Sequence, residues 1–287
     1  MLDDFHFIPE QTRREVIQAL KPLAHKGASV VIITLPHRRS EASRLVKDVG
    51  GRTETIEVEP WSEDDLALIA RKGFDELGVN DPLNLGSQLA AESYGSPQIM
   101  QQLCLELCER INGVERAASS SLALRAPEDW RAFWRLVRDE DSSDWLSKLD
   151  SGPKERGQSR KRHKLKSGLE LDGYGVILVA LRDLGPKLSI SLDELNAEIA
   201  RQLVSKKASA LGVATKLGHM STIAAKSLDA SPPEIEDEDE EVQDPATGSP
   251  QPVFEYVAER EEIHILEPYL AYTLKWHSDE LLGSASA

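Results

Sequence analysis

The chain has 287 residues, 40% of them hydrophobic, and a formal net charge of -15 at pH 7. This length allows one to three domains and at least one sizeable core. No apolar stretch reaches the roughly 18 residues of a membrane-spanning helix, and the start of the chain lacks a signal peptide, so we expect a cytoplasmic protein. The negative charge disfavours nucleic-acid binding over the whole surface, although a local basic patch could still bind it.

The first part of the sequence shows α/β order. Apolar residues at helical spacing predict a helix over 10–26. The run over 28–35 is apolar and β-branched, which is typical of a strand buried on both faces of a parallel sheet. A helix over 39–48 and an alternating strand over 53–58 follow, so helices and strands alternate.

The next part of the sequence is predicted to contain helices only. Ser62 precedes three acidic residues, as in a capped helix start. Further helices are expected over 83–93, 97–112 and 127–138, and Pro97 suits a first helical turn.

The two cysteines, Cys104 and Cys108, stand four residues apart on one of these predicted helices. No second Cys or His pair stands at the spacing of metal ligands. We therefore interpret both as small buried hydrophobic residues rather than as redox or metal-binding groups.

A basic linker is predicted over 150–168, and its second half contains the run Arg160-Lys161-Arg162-His163-Lys164-Leu165-Lys166. Two interpretations stay open for this run. It is either a solvated tether or an element that contacts nucleic acid or the acidic segment further along the chain. That segment, 234–244, lies within the stretch 231–252, which is rich in Pro, Asp and Glu and is expected to be disordered.

The elements after the linker follow the order of a winged helix. Ser191 and Glu194 form a predicted capping box at the start of the second helix. The predicted elements are helices over 173–184, 192–203 and 207–228, a hairpin over 253–265 and a helix over 268–277, with a frayed tail over 278–287.

The third helix of a winged helix usually reads DNA, and a β-wing flanks it. Here that helix carries Lys216, His219 and Lys226, which we predict as candidate nucleic-acid contacts. The acidic segment before the predicted wing would repel a phosphate backbone. A domain that packs on protein is therefore a second interpretation of the same elements.

Several residues could serve a nucleotide site. In the pair Asp3-Asp4, the first acid would hold Mg²⁺ and the second would orient an attacking water. Thr34, or one of the two arginines at 38–39, would sense the γ-phosphate, and the turn Gly95-Ser96-Pro97 would contact an adenine base. Each feature alone also fits a turn, an ordinary strand residue, a solvated charge or a helix start. Their order along the chain favours the nucleotide interpretation.

With these motifs, residues 1–112 resemble the second half of the signal-transduction ATPases with numerous domains, the STAND branch of the AAA+ superfamily. Asp3-Asp4 is similar to their Walker B motif, in which Asp often takes the place of the second Glu. Strand 28–35 is similar to the sensor-1 strand, and Gly95-Ser96-Pro97 to the G-x-P motif of the helical lid. Gln98 follows the proline, whereas ordinary AAA+ enzymes have a sensor-2 arginine near this point.

The resemblance implies an ATP-hydrolysing parent family with ATP and Mg²⁺ as cofactors. It implies these site residues: Asp3 for the metal, Asp4 and Arg38 for catalysis, and Thr34, Gly95 and Pro97 for nucleotide binding. The winged helix after the lid is also common in this family. The implied protein is a nucleotide-dependent switch.

The sequence contains no G-x-x-x-x-G-K-[S/T] loop. The backbone N–H groups and the lysine of that loop cradle nucleotide phosphates. We therefore expect this chain to bind ATP–Mg²⁺ only when a P-loop half completes it. Because Met1 lies inside the predicted Walker B strand, a truncated or split reading frame is the first interpretation, and a degenerate regulator is the second.

The expected fold class is an α/β partial P-loop NTPase core, then an all-α helical lid, then a winged-helix (α+β) domain. The expected boundaries are 1–59 for the core, 60–149 for the lid, 150–168 for the linker, 169–277 for the winged helix and 278–287 for the tail. The expected partners are the P-loop segment, a second copy or another protein, and DNA through the winged helix. The alternative function is a non-enzymatic winged-helix regulator that binds DNA or protein.

Overall fold

The computed structural model describes residues 1–2, 5, 8, 10–33, 56, 58, 60–117, 122–154, 160–185, 187–204, 211–226 and 252–281. By its contacts the chain divides into two compact units, Met1–Glu59 with Asp244–Gln251 and Pro60–Gln243 with Pro252–Ala287. Within the described ranges, no helix has both the length and the apolar character needed to cross a membrane.

In the first unit, helix α1 spans Glu10–His25 and confirms the predicted helix. Its apolar face contains Ile17, which is buried, and Leu23, which remains exposed. The predicted helix over 39–48 lies outside the described residues. Of the predicted strand over 53–58, only residues 56 and 58 are described, and both are exposed and belong to no strand.

The first unit also contains a parallel pairing between Leu2 and Ile32. The N–H of Leu2 donates to the carbonyl of Val31 at 2.8 Å, and the N–H of Ile33 donates to the carbonyl of Leu2 at 2.9 Å. The prediction of a strand buried on both faces is wrong for its described part, because the exposed fractions are 38% for Val30, 58% for Val31 and 43% for Ile33. Pairing with Leu2 covers one edge of this segment and leaves apolar side chains in contact with solvent.

The second unit begins with the predicted helices. Helix α2 spans Glu63–Leu77, helix α3 spans Leu85–Ala91, and helix α4 spans Pro97–Glu106 and continues as a π-helical turn over Leu107–Ile111. Ser62 caps α2 as expected, since its side chain accepts a hydrogen bond from the N–H of Asp65. This part is not helical throughout, because strands β1 (Val79–Asn80) and β2 (Leu122–Ala123) form a short parallel pair.

The predicted helix over 127–138 is replaced by two helices, α5 (Trp130–Trp134) and α6 (Glu140–Ser151). Each helix has its own aspartate cap. Asp129 accepts from the N–H of Ala132, and Asp139 accepts from the N–H of Ser142. An aspartate at an N-cap satisfies a backbone donor that has no partner inside the helix, so each one begins a new helix here.

The predicted linker over 150–168 is wrong in part. Helix α6 extends to Ser151, and the basic run enters an antiparallel hairpin of strands β3 (His163–Lys164) and β4 (Glu170–Leu171). Arg160 precedes the hairpin, and its side chain donates to the carbonyl oxygens of Ser151 and Pro153. The run is therefore anchored to the second unit and is not a free tether.

The rest of the second unit combines helices with a three-stranded antiparallel sheet. Its elements are α7 (Gly173–Asp183), β5 (Ser189–Ser191), α8 (Leu192–Gln202), α9 (Val213–Ala224), β6 (Phe254–Val257), β7 (Glu262–Ile265), α10 (Pro268–Trp276) and α11 (Ser278–Leu281). The sheet order is β5-β7-β6. The predicted capping box of Ser191 and Glu194 is confirmed. The predicted tail is wrong at its start, because Ser278 is buried and begins α11.

One hydrophobic core runs through the second unit, from Leu66 on α2 to Leu274 on α10. Helix α10 packs on both α6 and α7. The helices of the predicted lid and the elements of the predicted winged helix therefore share a core.

Candidate functional site

Four of the predicted nucleotide-site residues, Asp3, Asp4, Thr34 and Arg38, lie outside the described residues. What the structure describes is the backbone beside three of them. The parallel pairing of Leu2 with the 31–33 segment is continued by the N–H of Phe5, which donates to the carbonyl of Ile33 at 3.1 Å.

The predicted adenine turn is described in full. Tyr94 and Gly95 both adopt the left-handed backbone region, with φ of 51° and 70°. Ser96 caps α4 by accepting from the N–H of Ile99 at 3.4 Å, and Pro97 occupies the first turn of that helix. Glycine adopts such a φ at no steric cost, so the sequence allows a sharp reversal directly before the helix.

This turn closes against the start of the second unit. A Cβ atom at Gly95 would lie 2.8 Å from Cβ of Pro60 and 3.5 Å from the carbonyl oxygen of Trp61. The close approach therefore requires glycine. Half of the Trp61 side chain is exposed (51%), and Pro97 is half-buried. The turn thus has a large exposed aromatic ring on the segment that it touches.

The buried side of the turn is tied to the C-terminal helices. The ring of Tyr94 packs edge-on against Tyr272 of α10, with centroids 6.2 Å apart. Burial, with a contribution from Glu92, holds the pKa of Tyr94 well above its usual range. The carboxylate of Glu92 in turn accepts from Nζ of Lys275 at 2.6 Å. Any movement of the turn would disturb these contacts with α10.

Two of the three predicted nucleic-acid contacts are buried. Lys216 is 4% exposed and His219 is 1% exposed, whereas Lys226 is half-buried. The expectation that Lys216 and His219 face outward on the third helix is wrong because α9 packs on β6, α6 and α7. The hydroxyl of Tyr174 lies 2.6 Å from Nδ1 of His219, at hydrogen-bond distance, and Nζ of Lys216 lies 5.8 Å from the Tyr174 ring centroid.

A polar cluster that the sequence did not predict surrounds Tyr174. The guanidinium of Arg160 lies 4.7 Å from the Tyr174 ring centroid and donates to Asp172 at 3.0 Å. Asp172 also caps α7. Burial and the neighbouring Asp172 raise the pKa of Asp150 to about 7, although Arg160 and Arg162 act in the opposite direction. The cluster therefore combines the Asp150 carboxyl group, whose pKa lies near neutral pH, with the positive charge of Arg160.

Glycines make room for this cluster. A Cβ at Gly173 would clash with Cε of Lys216, and a Cβ at Gly175 would lie 3.1 Å from Oδ1 of Asp150. The glycine spacing Asp172-Gly173-Tyr174-Gly175 at a helix start was therefore the signal that could have revealed the cluster. It indicates close approach of other side chains to the helix start.

Metal and thiol chemistry find no support in the described part of the chain. No group of three or more His, Cys, Asp or Glu side chains there is placed to hold a metal ion. Burial raises the pKa of Cys104 to about 12 and that of Cys108 to about 11. Cys108 is buried, as predicted, and Cys104 is half-buried.

An open cleft of about 460 Å³ lies between the end of the π-helical turn and α5. Arg110, Arg125, Glu128 and Asp129 line it together with apolar residues. Its walls carry both signs of charge. No family model, curated protein or solved structure matches this chain.

Proposed function

We propose that this chain is part of a STAND-type nucleotide switch that binds ATP–Mg²⁺ together with a P-loop half from outside these 287 residues. The observation that carries the proposal is the parallel pairing of Leu2 with residues 31–33. In the sequence, Asp3-Asp4 follow Leu2 and Thr34 follows Ile33. Neighbouring parallel strands end at the same edge, and α/β folds bind ligands beyond that edge.

The residue types at these positions suit a nucleotide–metal site. Carboxylate oxygens are the ligands that Mg²⁺ prefers, which fits Asp3 as the metal-binding residue. Asp4 would orient and deprotonate the attacking water. Thr34 and Arg38 would contact the γ-phosphate, where an arginine stabilises developing negative charge. Bound Mg²⁺ would supply additional positive charge on the phosphates.

The exposed apolar side chains of the 28–33 segment support the need for a partner half. Val30, Val31 and Ile33 are between 38% and 58% exposed, although strands of a parallel sheet are normally buried on both faces. Covering such a run with the remaining strands and helices of a P-loop domain would remove apolar surface from water. The lack of a P-loop motif in the sequence agrees with this.

In this proposal the turn at Gly95 and Pro97 contacts the adenine base. The turn touches Pro60 and Trp61 on its outer side and α10, through Tyr94, on its inner side. A ligand that shifts the turn would therefore act on the contacts between the predicted lid and α10. A switch needs such an element, whose two arrangements a ligand can bias.

The C-terminal elements support a winged-helix domain that packs on the lid. Helix α7, strand β5, helices α8 and α9, and the hairpin β6–β7 follow winged-helix order. The burial of Lys216 and His219 favours packing on protein over DNA reading through α9. A non-enzymatic regulator that binds protein or DNA through this domain is the second candidate function.

The test is the addition of a P-loop half. The coding sequence upstream of codon 1 is read, and the chain extended by any in-frame or frame-shifted G-x-x-x-x-G-K-[S/T] segment is produced. We expect the extended protein to bind ATP–Mg²⁺ and the 287-residue chain to bind it weakly. Asp3→Asn should weaken Mg²⁺-dependent binding, and Asp4→Asn should stop hydrolysis while preserving binding. ATP turnover by the 287-residue chain alone that Asp4→Asn abolishes would refute the requirement for a second half.

A further inference from the structure

A set of basic side chains lies on the β3–β4 hairpin and the neighbouring end of α8. We call it the basic surface and define it as Lys161, Arg162, Lys164, Lys166 and Arg201, all of which are exposed. It stands out because the whole chain has a net charge of -15. None of the five belongs to the proposed nucleotide site.

The backbone under the basic surface is held in place. Leu165 is buried and pairs with Leu203 in an antiparallel bridge. The N–H of Lys166 donates to the carbonyl of Gln202 at 2.8 Å, and the N–H of Val204 donates to the carbonyl of Lys164 at 3.1 Å. These hydrogen bonds join the first half of the hairpin to residues 202–204 at the end of α8, in the pattern of two antiparallel strands. Positions fixed in this way lose little backbone entropy when a ligand binds.

The base of the hairpin is anchored as well. The guanidinium of Arg160 binds Asp172 and the end of α6, and the guanidinium of Arg162 donates to the carbonyl of Glu170 at 2.5 Å. These contacts fix the guanidinium groups of Arg160 and Arg162 at the base of the hairpin. A solvated tether would not hold its charges at fixed distances.

We propose that the basic surface binds the phosphate backbone of double-stranded nucleic acid. Lysine and arginine side chains supply most of the affinity for a phosphate backbone, and a two-stranded β-ribbon fits the major groove of DNA. The Ser167-Gly168 tip between the strands is exposed, so it leaves space for a backbone to approach. Such binding does not require the buried helix α9.

Two features of the hairpin favour a duplex over other anionic partners. Residues 160–171 contain no Trp, Tyr or Phe, and aromatic rings are what stack unpaired bases. Aromatic residues also contribute most of the binding energy at the centre of many protein interfaces. This segment has none, and Leu169 is its one large exposed apolar side chain, so it offers little to a protein partner. The hairpin is therefore a positively charged ribbon that suits the regularly spaced phosphates of a duplex.

The magnitude of binding follows from the charges. At physiological salt the Debye length is about 8 Å, so acidic residues far from the basic surface are largely screened. Glu198 is not among them, because it pairs with Arg201 at 2.6 Å and offsets that charge, which leaves the hairpin side chains as the main source of affinity. Non-specific duplex binding of this kind has a Kd of roughly 10⁻⁴ to 10⁻⁶ M, and each phosphate contact adds about 0.9 to the salt dependence of log K.

The test is fluorescence anisotropy of the full chain with a short mixed-sequence DNA duplex, at about 50 to 200 mM salt. For the triple variant Lys161→Ala, Lys164→Ala, Lys166→Ala, we expect a salt slope reduced by about 2.7, three times the 0.9 per contact, and binding weakened roughly 1,000-fold at about 50 mM salt. For the double variant Lys161→Ala, Lys164→Ala, the salt slope should fall by about 1.8, two contacts at 0.9 each. This variant leaves the tip of the hairpin unchanged, so it tests the proposal if the triple variant folds poorly.

The matched control removes three exposed charges elsewhere, with Arg71→Ala, Lys72→Ala and Arg116→Ala. It should retain the wild-type salt slope. An equal loss in the control, no salt-dependent binding of the wild type at about 50 mM salt, or equally tight binding of poly-glutamate through the same lysines would overturn the proposal. The last result would assign the surface to an acidic polypeptide.

Discussion

The hydroxyl of Tyr272 donates a hydrogen bond of 2.7 Å to the backbone carbonyl of Trp134, and both groups are buried. This bond joins α10 to α5. Around it, the rings of Trp134 and Trp276 stack with centroids 5.7 Å apart, and Nε2 of His277 lies 2.9 Å from the carbonyl oxygen of Val137. Helix α10 is therefore held on the predicted lid by both apolar and polar contacts.

Tyr272→Phe should destabilise the second unit. The substitution keeps the ring and removes the donor, which leaves the buried carbonyl of Trp134 without this partner. We expect the free energy of unfolding to fall by about 1–3 kcal/mol, the cost of a buried unsatisfied group. Urea denaturation followed by tryptophan fluorescence measures it. Tyr269→Phe is the control, because its bond to Gln102 is only partly buried and water can replace it. An equal loss in both variants would contradict the argument.

Local signals in the sequence were sufficient for the start of several helices. The predicted helix-start roles of Ser62, Ser191 and Pro97 are confirmed, since each depends only on residues within one helical turn. Strand β5 was missed because its ladder partner is β7, more than 70 residues further along the chain. A three-residue strand has no periodicity of its own that predicts it.

The polar residues of α9 show why the site could not be predicted fully. Lys216 and His219 are polar residues on a helix, and polar residues are mostly exposed in proteins. Here the Tyr174 ring and the space beside Gly173 accommodate them inside the second unit. That environment is created by α7, about 40 residues earlier, and no local pattern in α9 indicates it.

Gly95→Ala should destabilise the turn before α4 for two separable reasons. The φ of 70° is unfavourable for alanine, and the new Cβ would lie 2.8 Å from Cβ of Pro60. We expect a loss of about 2–4 kcal/mol, measured by thermal or urea denaturation. Gly113→Ala is the control, because it has a similar φ of 66° and no atom within 4 Å of the new Cβ. It should cost only about 1 kcal/mol, the backbone share of the effect.

The two cysteines should react slowly in the folded protein. Burial raises the pKa of Cys104 to about 12 and that of Cys108 to about 11, which lowers the fraction of reactive thiolate at pH 8. We expect the rate of reaction with a disulfide reagent to be at least about 100-fold lower than in denaturant. Cys108→Ser isolates the reaction of Cys104. A native rate close to the denatured rate would show that these thiols are accessible.

The carboxyl group of Asp150 should make stability depend on pH between about 4 and 7. Burial and Asp172 raise its pKa from 3.8 to about 7 in the folded protein. In that range the folded state binds more protons than the unfolded state, so the free energy of unfolding contributed by this group falls as pH rises.

Asp150→Asn keeps the shape but cannot ionise, and it should be more stable than the wild type at pH 8. One pKa unit corresponds to about 1.4 kcal/mol, and solvent at this half-buried group reduces the full value, so we expect a gain of about 2 kcal/mol. Urea denaturation across this pH range measures the effect, and Asp144→Asn, on the exposed face of the same helix, is the matched control. An Asp150→Asn variant with the wild-type pH dependence would show that another group titrates.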